Sequence, residues 1–250
     1  EKAAGLNCAI FFDSTSFYIK EKLLEEGIPF VLKDKQVYLP FIGYLLSNEN
    51  ERKISPVHLI SFLTQKVILV AIYEKWENVT ASKAAIRLGV TKMSANRCFD
   101  EIEYLNVDIL GMKGKSRVIT VPADIQKLWN DVRVILRNPV IARYELKEDI
   151  QLGKKAGITA LCEYSLLSDN EYPTYAITKK EITESGIRKM KQVHSGEEIG
   201  CVVLELGYFI DFKNKKLEDP LSVTLSLTES EKQDERIGIS IKRMLEEYVW

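Results

Sequence analysis

The clearest periodic pattern of apolar residues lies between positions 80 and 105. The Ala-rich stretch 81–88 follows Thr80, a good helix N-cap, and stops at Gly89, which adopts a positive φ without steric cost. Thr91 can cap a second helix, in which apolar residues recur every three or four positions, as on one buried helical face. Those residues are Met93, Ala95, Cys98, Phe99, Ile102 and Leu105. The pattern predicts two helices joined by a tight turn.

Polar side chains occupy the other face of the second predicted helix. They are Lys92, Ser94, Asn96 and Arg97, close to the N-cap Thr91. Side chains of these types donate hydrogen bonds to phosphates and to the edges of bases. The face therefore indicates nucleic-acid contact. The alternative is an ordinary solvent-exposed face on a pair of packed helices.

A basic hairpin is predicted directly after these helices. Residues 108–110 and 117–121 suit two short strands, and Gly111 and Gly114 suit the tip between them. The hairpin carries three basic residues, Lys113, Lys115 and Arg117.

The spacing of small residues links these elements to a known family. Ala85, Gly89 and Ala95 fall where a helix-turn-helix needs a close approach, a turn and a small residue facing the first helix. The segment resembles the helix-turn-helix of winged-helix transcriptional regulators, including the MarR type. The resemblance implies double-stranded DNA binding by Thr91, Lys92, Ser94, Asn96, Arg97, Lys113, Lys115 and Arg117. A winged helix that binds protein is an open alternative.

The first 50 residues predict a small unit of βαββ order. Residues 7–12 suit a buried strand, 17–26 an amphipathic helix, and 28–32 and 36–39 two more strands. A phosphate pocket at the start of the helix is not favoured, because no glycine-rich loop precedes it. The polar stretch 47–53 predicts a linker.

The rest of the chain predicts further helices and strands. A helix that is apolar over much of its circumference spans 55–73, and an amphipathic helix spans 123–137, where it packs on the winged helix or forms a dimer contact. Further predictions are a strand at 140–146, a helix at 158–167, strands at 172–177 and 200–208, a capped turn at 219–222 and a helix at 234–250.

The expected fold class is α/β, more closely α+β, in three parts. A small N-terminal α/β unit spans 1–50, and a winged-helix DNA-binding domain with its following helix spans 51–138. A C-terminal α/β domain for dimerisation, effector binding or partner binding spans 139–250.

A second resemblance concerns residues 158–167. Thr159, Ala160, Leu161 and the pair Leu166-Leu167 match the helix that follows the winged helix in AbiEi-type antitoxins and regulators, although Ser165 replaces the family's glycine. The resemblance implies an antitoxin-like autorepressor that meets a nucleotidyltransferase toxin.

The charge distribution refines the expected DNA binding. The net charge is −1, but residues 55–122 carry nine Lys and Arg against six Asp and Glu. This modest local excess favours site-specific binding by a homodimer over non-specific coating of DNA. The sequence shows neither an 18-residue uncharged apolar run nor the plan of a signal peptide, so we expect a cytoplasmic protein without a membrane partner.

Catalysis, metal binding and cofactor binding are not expected. The four cysteines form no CxxC pair, the two histidines lie far apart, and no GxSxG, HExxH, Walker or dinucleotide glycine motif occurs. The open enzyme alternative is a metal-dependent nuclease of the PD-(D/E)xK kind, because Glu145 and Lys147 lie on one predicted strand. Its upstream acid, Asp131, lies on a predicted helix instead of at a strand end.

Overall fold

The structure, a computed structural model, describes residues 7–13, 15, 17–33, 36–42, 44–47, 59–168, 171–190, 192–194, 196–213 and 216–250. It combines α-helices with three small sheets, as in the α+β class. The chain divides into two compact units. The first contains residues 1–56 and 112–117, and the second contains residues 57–111 and 118–250. The expected three-part division stays a prediction.

The N-terminal part of the first unit is a four-stranded sheet with one helix. Its elements are β1 (Ile10–Phe12), α1 (Phe17–Glu25), β2 (Phe30–Leu32), β3 (Gln36–Leu39), a 3-10 turn (Pro40–Ile42) and β4 (Tyr44–Ser47). Strands β1 and β2 are parallel across the α1 connection, and β2, β3 and β4 follow as antiparallel neighbours.

Two expectations for this part were wrong. The order is βαβββ instead of βαββ. Strand β4 was missed because its apolar run is too short for its periodicity to reveal a strand. Strand β1 lies at the sheet edge and exposes Ile10 and Phe11, so it is not buried. Ser47 belongs to β4, and residues 48–53 of the expected linker lie outside the described residues.

The next elements match the expected order of two helices and a hairpin. They are α2 (Phe62–Glu74), β5 (Val79–Thr80), α3 (Ala81–Leu88), α4 (Lys92–Tyr104), β6 (Leu110–Lys113) and β7 (Ser116–Ile119). The three strands form a sheet in the order β5-β7-β6. Helix α2 begins later than expected, because the Ser61 hydroxyl accepts the Thr64 N–H at 3.2 Å and caps it.

The remaining elements build the third sheet and its surrounding helices. They are α5 (Ile125–Val132), β8 (Val140–Leu146), β9 (Lys154–Lys155), α6 (Gly157–Tyr164), β10 (Thr174–Ile177), α7 (Lys179–Ser185), a 3-10 turn (Ile187–Lys189), β11 (Cys201–Leu206), α8 (Pro220–Ser226), α9 (Glu229–Lys232) and α10 (Glu235–Tyr248). The sheet order is β8-β11-β10-β9, with β10 and β11 parallel and the other pairs antiparallel.

The sequence-based bounds in this region vary in accuracy. The strand at 140–146 is confirmed. The helix expected at 123–137 is shorter, because Asp124 caps α5 and the helix ends at Val132. The helix expected at 158–167 ends at Tyr164, because Ser165 has an extended backbone.

One hydrophobic core runs through the second unit. Helix α2 is apolar around its circumference and lies inside this core, as expected of a fully buried helix. The same core contains Ile102 of α4, Trp129 of α5 and Met244 of α10. It therefore includes residues from both sides of position 138, the boundary expected between the winged-helix domain and the C-terminal domain. Among the described residues, no helix is long and apolar enough to cross a membrane.

Candidate nucleic-acid interface

Helices α3 and α4 are joined by a tight turn at Gly89. This residue has a φ of 65°, and the Val90 N–H donates to the Ala85 carbonyl at 3.0 Å, which closes the end of α3. Thr91 then starts α4, where its hydroxyl accepts the Ser94 N–H at 3.1 Å. Ala85 and Ala95 are both buried, as the close approach of two helices requires. The two predicted helices and their turn are therefore confirmed.

One side of α4 is fixed in the hydrophobic core. Ala95, Cys98, Phe99 and Ile102 are each at most 2% exposed. The Glu101 carboxylate also accepts the backbone N–H of Ser61 at 3.0 Å, at the start of α2. These contacts fix the rotation of α4 about its axis, and its opposite side faces solvent.

The predicted DNA-contacting residues of α4 lie together on this solvent side, but they differ in what they offer. Lys92 and Arg97 are exposed, and Ser94 and Asn96 are half-buried. The Thr91 and Ser94 hydroxyls lie 2.9 Å apart and serve the helix cap. Lys92, Asn96 and Arg97 are thus the residues of this side whose side-chain donors do not serve the cap.

Met93 also lies on this exposed side, which corrects its assignment to the buried face. It is 66% exposed, and the Arg97 guanidinium donates to its sulphur at 3.9 Å, one helical turn away. The apolar periodicity misassigned Met93 because it sits at the first turn of α4. The buried face begins only at Ala95, where α4 meets the core.

Charge is segregated along α4. The basic residues Lys92 and Arg97 lie in its first two turns, and Asp100, Glu101 and Glu103 lie in its second half. A helix N-terminus also carries a partial positive charge from the backbone N–H groups. The N-terminal half of α4 is therefore the part suited to a polyanion. Nearby Arg87 of α3 is less available, because its Nε donates to the Glu74 carboxylate at 2.6 Å.

The basic hairpin is a second candidate surface. Strands β6 and β7 leave only Gly114 and Lys115 between them, so the tip is shorter than the strand bounds predicted, and Gly114 has a φ of 61°. Lys113 and Lys115 are exposed and Arg117 is half-buried. Residues 112–117 belong to the first compact unit and α4 to the second, so the two surfaces are separate candidates.

A buried polar cluster in the second unit was not found from the sequence. Tyr73 of α2 donates to the Asp219 carboxylate at 2.7 Å, and Asp219 also accepts the Ser222 N–H at 3.0 Å. Gln65 of α2 donates to the Tyr208 hydroxyl at 2.9 Å. Asp219 caps α8, so residues 219–222 are a helix start instead of the expected turn. The cluster connects α2 to α8 inside the core.

The neighbouring acid, Glu218, is buried with one carboxylate oxygen satisfied. Its Oε2 accepts the Gly157 N–H at 3.0 Å and the Ser226 hydroxyl at 3.3 Å, whereas Oε1 has no hydrogen-bond partner among the described residues. Burial raises the pKa of Glu218 to about 8 and also raises the pKa of Asp219. Glu218 is only 2% exposed, so its carboxyl group lies within the core.

The residues of the nuclease alternative have other partners. Glu145 lies 3.1 Å from the Arg143 Nε on the same strand, and the Lys147 Nζ donates to Glu197 at 2.6 Å. Asp131 lies on α5 and not at a strand end. Within the described parts of the chain, no three His, Cys, Asp or Glu side chains form a group that could hold a metal ion.

Comparisons with known proteins give no relative for this chain. No family model matches it, and neither the search of curated proteins nor the search of solved structures found a match.

Proposed function

We propose that this protein binds double-stranded DNA at specific sequences and acts as a transcriptional regulator. The proposal makes α4 the helix that enters the major groove and treats α3, α4 and the β6–β7 hairpin as a winged helix-turn-helix. The observation that supports it most is the solvent side of α4, where Lys92, Asn96 and Arg97 present hydrogen-bond donors around a capped helix N-terminus.

The chemistry of these donors matches what DNA offers. Arginine pairs with the O6 and N7 acceptors of guanine, asparagine pairs with adenine, and lysine reaches phosphates or guanine. Recognition helices place their N-terminal residues against base edges, which agrees with the basic first half and acidic second half of α4. The charge gradient therefore favours insertion by the N-terminal end over a helix lying flat on the phosphates.

The finer expectations from the AbiEi-type resemblance stay predictions. In α6, Thr159, Ala160 and Leu161 are buried, and Leu166 is exposed beyond the end of the helix. We propose, in line with this resemblance, an antitoxin-like autorepressor that forms a homodimer, meets a toxin partner and acts in the cytoplasm.

Selection from a random library of double-stranded DNA tests the proposal. The full chain is incubated with the library at about 0.1 M salt, and the bound duplexes are amplified and sequenced through repeated rounds. We expect enrichment of a defined sequence, because base-edge donors on α4 distinguish base pairs. Retained DNA without any enriched sequence would contradict a site-specific regulator, and no retained DNA would contradict it and favour the protein-binding alternative.

A further inference from the structure

The exposed methionine of α4 bears on which DNA sequence the protein recognises. This inference rests on the proposed function. Met93 follows the N-cap Thr91 by two positions and is 66% exposed on the same side as Lys92 and Arg97. Exposing so much apolar surface gains nothing from the hydrophobic effect in the free protein. Its surroundings on α4 are polar, so it is not part of a broad apolar patch on this helix.

We propose that Met93 reads sequence by contacting the 5-methyl group of a thymine. The thymine methyl is the apolar group that a base pair presents in the major groove, and apolar side chains recognise it. A single apolar side chain among donors matches such a base edge. A protein interface would instead bury the charged groups of Lys92 and Arg97 together with Met93, at a cost in desolvation.

The contact between Met93 and Arg97 adds a constraint on the base sequence. The Arg97 Nη2 lies 3.9 Å from the Met93 sulphur, so the two side chains stand side by side. Residues one helical turn apart have Cβ atoms roughly 5–6 Å apart, and successive base pairs are separated by about 3.4 Å. If Arg97 pairs with guanine, Met93 then reaches a thymine within about two base pairs of that guanine.

Replacement of thymine by deoxyuridine tests this contact, because it removes the methyl group and leaves every hydrogen-bonding atom in place. The probe is the duplex selected from the random library, with each thymine replaced in turn, and the binding is measured by fluorescence anisotropy. At one thymine near a guanine, wild-type affinity should fall about four-fold, the value of one buried methyl group. Met93→Ala should bind the two duplexes equally.

Two control variants separate the contact from other effects. Ile86→Ala removes an even more exposed apolar side chain (84%) on α3, and it should keep the wild-type loss on the deoxyuridine duplex. Arg97→Ala should bind more weakly but keep the same ratio between the thymine and deoxyuridine duplexes. Circular dichroism is used to check that each variant is folded.

The outcomes separate this inference from the proposed function. An enriched sequence in which no thymine replacement lowers affinity overturns the role of Met93 alone. So does a loss that is equally large in Met93→Ala. A library that yields no enriched sequence overturns the proposed function and this inference with it.

Discussion

The buried carboxyl group of Glu218 should make the stability of the protein depend on pH. Its Oε2 accepts two hydrogen bonds from Gly157 and Ser226, and its Oε1 lies buried without a partner among the described residues. Glu218→Gln removes the ionisable group and keeps an oxygen that accepts the same two hydrogen bonds. The variant therefore isolates the cost of ionisation from the cost of lost contacts.

The direction of the effect follows from the two pKa values. The pKa of Glu218 is about 8 in the folded protein and 4.5 as the ordinary value for an unfolded chain. Between these values the folded state binds one proton more than the unfolded state, so the free energy of unfolding falls as pH rises from 4.5 to 8. At about 1.4 kcal/mol per pH unit, the loss amounts to at most ~5 kcal/mol.

Urea unfolding at pH 5, 6, 7 and 8 measures this loss, and the buried Trp76 and Trp129 report the transition by fluorescence. Wild type and Glu218→Gln should have similar stability at pH 5, and the variant should become the more stable protein as pH rises to 8. Asp219 is present in both proteins, so its own titration largely cancels. Glu246→Gln, at an exposed position of α10, keeps Glu218 and should lose stability with rising pH as wild type does. A difference between wild type and Glu218→Gln that stays constant across pH would refute a neutral buried Glu218.

Three further predictions concern the hairpin, the nuclease alternative and the turn before α4. Replacing Lys113 and Lys115 by alanine should lower affinity similarly for all DNA sequences, and should reduce the slope of log affinity against log salt by about 0.9 per lost phosphate contact. Identical slopes would show that the hairpin does not contact the DNA backbone. Mg²⁺ or Mn²⁺ should not elicit DNA cleavage, and metal-dependent nicking that Glu145→Ala abolishes would favour the nuclease. Gly89→Ala should lower the free energy of unfolding by about 1 kcal/mol in urea titrations, because alanine is strained at a φ of 65°. Unchanged stability would argue against a left-handed backbone at position 89.

The features that the sequence predicted well depend on neighbouring residues. Thr80 and Thr91 cap helices and Gly89 ends one, because these roles need only the residue's own conformation and the backbone groups within one turn. The strand at 140–146 was found for a similar reason, since Pro139 precedes it and ends any helix. The donors of α4 followed from the same local periodicity.

The features that were missed depend on tertiary contacts. Met93 fits the helical spacing of the buried residues, but where the buried face of α4 begins depends on its packing in the core, which the spacing does not contain. Tyr73 and Asp219 meet across 146 positions, and an aspartate before a proline has the same appearance at an exposed turn as at a buried helix cap. Single-sequence patterns carry no information on such pairings.

The specificity of wild-type protein compared with that of Arg97→Ala tests the central claim most directly. The measurement is the ratio of affinities for the selected duplex and a scrambled duplex at the same salt concentration. Arg133→Ala is the matched control, because it removes the same charge from an exposed position after α5. We predict that Arg97→Ala lowers the ratio roughly 5- to 150-fold, which corresponds to the about 1 to 3 kcal/mol of a good bidentate base contact, and that Arg133→Ala leaves the ratio unchanged. An unchanged ratio in Arg97→Ala, or equal losses in the two variants, would contradict base reading by α4.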